Sequence, residues 1–168
     1  MSIWQSMSGF DGRIPRKYFW LAGLVLMIPM IVIFLILLHW LSGGRWLDET
    51  YGQTLQAAKV NGAVELITFV VALYPSLAIS MKRLHDLNLS GWWCVPAFAP
   101  GFISGLADVA GLTGPPDSQN LLGSVLLWGS VAVGLVYIAV LGFLRGTAGP
   151  NGYGQDPLAG TPAAVAKS

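Results

Sequence analysis

The sequence predicts an all-α integral membrane bundle of four transmembrane helices with both termini in the cytoplasm. Three observations predict it: charge is scarce, four long segments are apolar, and lysine and arginine are unevenly distributed between them. Hydrophobic residues make up 54 % of the 168 residues and charged residues only 10 %, against roughly 25 % charged in a soluble domain. Most of the folded surface therefore lacks groups to face water, and lipid is the alternative solvent. The length suits one domain. A net charge of +1 provides no bulk field to attract nucleic acid, so no nucleic-acid partner is expected. The single cysteine, Cys94, excludes an internal disulfide and a cysteine-rich metal site, and no cofactor is expected.

A helix needs about 20 apolar residues to cross a hydrocarbon layer about 30 Å thick. The first segment meeting this runs from about Phe19 to Leu41, with His39 near its far end. Arg13, Arg16 and Lys17 precede it as in a signal sequence, but the run exceeds the 7–15 residues of a signal core and no A-x-A site follows. It reads as an uncleaved signal-anchor helix. The second segment runs from about Ala63 to Met81, with Glu65 near its start. The third, about Gly91 to Leu112, contains Pro96, Pro100, Gly101, Gly105 and Gly111, with Asp108 near its end. The fourth, about Leu121 to Leu144, carries no charge. Prolines inside membrane helices are tolerated where neighbours satisfy the freed carbonyls, and kinks are expected at Pro29 and Pro75.

With the N-terminus inside, Arg13, Arg16, Lys17, Lys82, Arg83, Arg145 and Lys167 fall on the cytoplasmic side, against Arg45 and Lys59 outside. That asymmetry obeys the positive-inside rule. Tyr18, Phe19, Trp20, Trp92 and Trp93 fall at inner boundaries, and Trp40 and Trp46 at an outer one, where amphipathic rings favour the headgroup layer. The chain then divides into a cytoplasmic N-terminal segment (1–18), a transmembrane domain (19–157) with a polar outer loop (42–62), and a disordered tail (158–168). Within the outer loop, Leu47 to Val60 is compatible with a short interfacial helix. The second outer loop, TGPPDSQN, is a Pro/Gly turn. No internal repeat supports an inverted-repeat transporter.

Three polar motifs are predicted to share the cytoplasmic face: FDGRIPRKYFW (Phe10 to Trp20), KRLHDLNLSGWW (Lys82 to Trp93) and GTAGPNGYGQDP (Gly146 to Pro157). Together they resemble the domain of unknown function 805 family of small bacterial inner-membrane proteins. The resemblance rests on Phe10, Gly12, Arg13, Arg16, Phe19 and Trp20; then Arg83, Leu84, His85, Asp86, Ser90, Gly91, Trp92 and Trp93; and last Gly146, Gly149, Asn151, Tyr153, Gly154, Asp156 and Pro157. The long first outer loop is the one departure. The resemblance implies a bacterial inner (plasma) membrane location and a multi-pass topology. It implies no activity.

Read residue by residue, Arg83 and Asp86 are three apart and pair if the helix continues. Asp86 is alternatively placed to accept the ring N–H of His85. Arg13 and Arg16 either bind headgroups and set topology, or one of them pairs across the bundle with Asp86 or Asp156. The tail motif, with Asn151 and Asp156, is turn-rich, and Tyr153 reads as an interface anchor. It lacks the strand, Lys-Ser/Thr pair and helix of a nucleotide loop. Glu65 and Asp108 are the acidic residues inside the hydrophobic spans. They read either as groups snorkelling to the outer boundary or as a proton or cation site, since intramembrane charge is expensive. Gly101 and Gly105, and Ser130 and Gly134, have the small-x-x-x-small spacing of close helix packing, within one chain or in a homo-oligomer. His85 with Cys94 as a nucleophilic pair is weak, because nothing supplies an oxyanion hole. His85 with Asp86 as a general base toward lipid is a further reading.

The expected function is a non-enzymatic, membrane-embedded binding or scaffold module. Its cytoplasmic platform of Arg13, Arg16, Arg83, His85, Asp86, Asn151 and Asp156 would meet membrane lipids, a protein partner or an anionic headgroup. The alternative is a small oligomeric transporter or channel using Glu65 and Asp108.

Overall fold

The computed structural model describes residues 7–159; Lys167 and the tail expected to be disordered from Gly160 onward lie outside them. Among the described residues the protein is all-helical. Helix α1 spans Arg16–Leu41, a single turn α2 spans Glu49–Gly52, α3 spans Leu55–Asp86, α4 spans Cys94–Val109 and α5 spans Leu121–Phe143. Helices α1, α3 and α5, at 26, 32 and 23 residues, are long and apolar enough to cross a membrane.

Helix α4 differs from the third predicted segment. It is 16 residues long, and a 3₁₀ turn over Gly91–Trp93 leads into it. It ends at Val109 because the chain reverses at Gly111, which adopts φ +72°. The second predicted span also differs: α3 begins at Leu55, well before Ala63. Thr54 caps it by accepting from the Ala57 N–H at 3.1 Å, and Ala57 and Ala58 are buried. Polar Gln56, Lys59 and Asn61 ride on a helix rather than in a loop. Of the suggested helix over 47–60, only the turn α2 forms separately. Both α1 and α3 continue through Pro29 and Pro75.

Helix α3 packs on α1 and α4, α4 packs on α5, and α5 closes back onto α1. The α3–α4 contact is set by Gly62 and Gly105. A Cβ on Gly62 would lie 2.8 Å from the Gly105 carbonyl oxygen and 2.6 Å from Asp108 Cβ. Gly101, by contrast, faces open space, as does Gly134, and Ser130 bonds its own helix at Leu126 O. The close approach thus uses Gly105 of the G-x-x-x-G pair against Gly62 of α3, while Gly101 takes no part.

The buried apolar clusters lie toward one end. One joins Ile14, Ala22 and Ile79; the other joins Leu84, Cys94 and Leu141, flanked by Phe19, Phe98 and Tyr137. Cys94 Sγ contacts the Tyr137 hydroxyl at 3.3 Å, not His85. Elsewhere α1 and α5 expose their apolar side chains, among them Ile28, Ile31, Ile36, Val125, Trp128 and Leu135. Continuous exposed apolar surface on this scale needs a nonaqueous neighbour.

Candidate functional site

The clamped end begins with the C-terminus of α3. Asn88 takes a left-handed conformation at φ 59°, and Leu89 and Asn88 return N–H bonds to Leu84 O and His85 O. This is a Schellman-type stop with asparagine in the position that favours glycine. It terminates the helix at Asp86 and fixes Arg83, His85 and Asp86 on its last turn.

Asp86 is the hub. Arg13 places Nε and Nη2 at 3.2 and 3.1 Å from Asp86 Oδ1, and Arg83 Nη1 donates to Oδ2. The three are almost completely enclosed, at 5 %, 0 % and 4 % exposure for Arg13, Arg83 and Asp86. Burying charge costs several kcal/mol per ion unless the groups are bonded, and here every guanidinium nitrogen has an acceptor. Arg13 Nη1 donates to Gly149 O at 2.7 Å, and its Nη2 to Thr147 Oγ1 at 3.1 Å. Arg83 Nε donates to Leu141 O at 2.6 Å, and its Nη2 to Leu144 O.

These contacts solve a second problem. The last carbonyls of a helix lack internal partners, and lipid offers none. At the end of α5, Leu141 O and Leu144 O receive Arg83. Gly142 O receives Trp20 Nε1 at 3.1 Å, and Phe143 O receives Arg16 Nη1 at 3.1 Å. Gly142 is required for the Trp20 contact, because a Cβ there would meet the indole at 2.5 Å. At the end of α3, Asp86 O accepts Thr147 N at 2.8 Å, and His85 O accepts Asn151 Nδ2 at 2.8 Å. Two negative helix ends thus meet two arginines.

The tail motif folds over this cluster. Gly146 packs on the Asp86 carboxylate so closely that a Cβ would overlap it. Asn151 Oδ1 accepts Tyr153 N at 2.9 Å. Asp156 accepts Gly149 N and Leu158 N, each at 2.9 Å. The two N–H bonds hold its carboxyl below the usual carboxylate range, bonding from Leu158 being the larger cause. Tyr153 stacks on His85, ring centroids 4.0 Å apart and 6° from parallel.

All seven platform residues named from the sequence lie at this end, with unequal roles. Arg13, not Arg16, makes the cross-bundle ion pair. His85 is not oriented by Asp86, whose oxygens are taken by the two arginines; its Nδ1 lies 3.3 Å from Gly12 O. A His–Asp dyad is therefore absent. A cavity of about 460 Å³ beside His85 is lined by Ser90, Trp92 and Tyr153 among others. Glu65 and Asp108 lie at a separate contact, where Gly62 meets Asp108 and Gly105 faces Glu65. Thr147, Gly146 and Trp20, each within one of the three motifs, supply clamp contacts that no sequence pattern marks.

These features define a class: an α-helical bundle of membrane-spanning character, locked at one end by a buried Arg–Asp–Arg cluster under a folded tail. The chain belongs to DUF805, a family of proteins of unknown function, whose model matches residues 7–155. It is 25 % identical over 157 residues to the inner membrane protein YhaH of Escherichia coli K12, covering 94 % of this chain and 93 % of that one. It is 29 % identical to the uncharacterized protein YiiR of the same strain, covering 93 % and 90 %. It is 24 % identical to the inner membrane protein YhaI, covering 96 % of each. No solved structure matches.

Proposed function

We propose that the protein is a multi-pass bacterial inner-membrane protein with four spans and cytoplasmic termini. In this reading it serves as a non-enzymatic binding or scaffold module whose cytoplasmic face is the clamped end. The observation that carries the reading is the enclosure of Arg13, Arg83 and Asp86 beneath the tail. So much bonding fixes a surface rather than a moving part. The fourth span is α4 with its 3₁₀ lead-in, a helical path from Gly91 to Val109 close to the length a hydrocarbon layer of about 30 Å requires. Orientation follows from Arg13, Arg16, Lys17, Lys82, Arg83 and Arg145 at the clamped end, against Arg45 and Lys59 at the other. The names of YhaH and YhaI support the location.

Reporter fusions after Leu158 and within the segment around Arg45 test this. A cytoplasmic signal from the first and a periplasmic signal from the second are expected; the reverse, or equal signals, overturns the topology. A small oligomeric transporter is the second reading, favoured by Glu65 and Asp108 standing on facing helices. It requires that Glu65→Gln change ion flux in proteoliposomes.

A further inference from the structure

Beside the clamp lies a cleft of about 210 Å³, lined by Pro15, Arg16, Arg145, Gly146, Ala148 and Asp156 among others. We propose that this cleft binds a phosphate-bearing anion at headgroup depth, with Arg16 and Arg145 as its charged ligands. The inference rests on the platform reading above, because the folded tail forms one wall.

Charge selects the sign of the ligand. Arg13, Arg16, Arg83 and Arg145 stand against Asp86 and Asp156 in and around the cleft, an excess of two positive charges. The ends of α3 and α5 offset about one unit, and the start of α1 returns about half; the cleft stays positive. Every nitrogen of Arg13 and Arg83 is bonded within the clamp, whereas the two lining arginines keep unbonded nitrogens. Arg145 makes no hydrogen bond or ion pair among the described residues, and Arg16 commits one nitrogen to Phe143 O. Asp156 forms no ion pair with them among the described residues; its oxygens accept from Gly149 and Leu158. The backbone N–H groups of Gly146 and Ala148, also in the wall, donate to nothing among the described residues. Guanidinium forks with backbone N–H donors suit phosphate oxygens. Depth selects the ligand class. Arg16 lies one helical turn from Trp20, whose ring packs edge-on against Phe143 at 5.6 Å; indole rings favour the headgroup layer, where lipid phosphates lie. The same chemistry accepts a soluble phosphate monoester.

The test uses the full chain in detergent and in nanodiscs. Native mass spectrometry reads retention of phosphatidylglycerol, and thermal midpoints read stabilisation by inorganic phosphate. Wild type should retain one anionic phospholipid or be stabilised by phosphate. Arg145→Gln should weaken binding about tenfold, as expected for loss of one charge-assisted contact, and Arg16→Gln/Arg145→Gln should abolish it. Arg45→Gln, at the opposite end, should bind as wild type. Displacement of the lipid by inorganic phosphate assigns the site to soluble phosphate; retention against it assigns the site to lipid. Equal binding by wild type and the double variant overturns the proposal, as does failure of both probes to bind wild type. Tail proteolysis on the same samples separates the two ideas. A protected tail without binding rejects the phosphate site alone, and a freely cleaved wild-type tail rejects the platform.

Discussion

Asp86→Asn probes the buried cluster most sharply, because one atom changes and the shape does not. In the native chain the carboxylate is the counter-charge to two guanidiniums whose side chains are 1 % and 0 % exposed. The amide removes that charge and turns an N–H donor toward an arginine. Loss of one partner from a buried ion pair costs about 3–5 kcal/mol. The carbonyls of Leu141, Leu144, Thr147 and Gly149 still receive the arginines, which places the expected loss near the lower figure, about 3 kcal/mol. Against a typical total of about 5–15 kcal/mol, that lowers the unfolding midpoint in an SDS titration clearly. It also frees the tail to added protease, since Arg13 holds both Asp86 and the tail. Adding Arg13→Gln should cost less than the sum of the single changes, as neighbours in one network do not add. A loss under about 1 kcal/mol with the tail still protected would refute the reasoning.

Three further outcomes follow from single positions. Gly146→Ala should expose the tail to protease and destabilise by about 1–3 kcal/mol, because its Cβ overlaps the Asp86 carboxylate; SDS titration with tail proteolysis checks it. Gly62→Val should separate α3 from α4, since even a Cβ meets the Gly105 carbonyl oxygen at 2.8 Å; a cysteine pair across that contact should lose its cross-link. Asp156 carries a depressed carboxyl, so its contribution is complete above the ordinary aspartate value and fades as pH falls through its lower native value. The share of tail protection that Asp156 supplies should persist down to about pH 4 and be lost below that, and tail proteolysis of Asp156→Asn against wild type should show a looser tail lacking that acid-limb loss.

Much of this end was legible in the sequence because its parts sit in three dense polar motifs separated by long apolar runs, and lipid leaves such motifs few places to go. The Arg83–Asp86 pair follows from helical spacing alone. The cross-bundle partner was legible only as a choice, Arg13 or Arg16 with Asp86 or Asp156, because spacing cannot rank residues on different elements. Arg83 reaching Leu141 O was not readable at all: the donor and acceptor are far apart in the chain, and the demand comes from unpaired carbonyls that no side-chain pattern marks. Helix α3 begins earlier than hydropathy suggests because Thr54 supplies a cap and Ala57 and Ala58 find buried places; apolar content does not register either. Hydropathy puts Gly62 in the outer loop for the same reason, so Gly105 is legible as a packing residue but its partner on α3 is not. The stacking of Tyr153 on His85 is not readable either, because aromatic composition does not say which ring another will meet.

Three distant segments close over one end of the bundle, and the proposed topology puts that end on the cytoplasmic side. Cysteines at Pro15 and Leu158, which both line the cleft beside the clamp, in a Cys94→Ser background, test this in living cells. A membrane-permeant bifunctional maleimide should link them, and an impermeant monofunctional maleimide added outside should not block the reaction. Absence of a link, or full blocking by the external reagent, would contradict it.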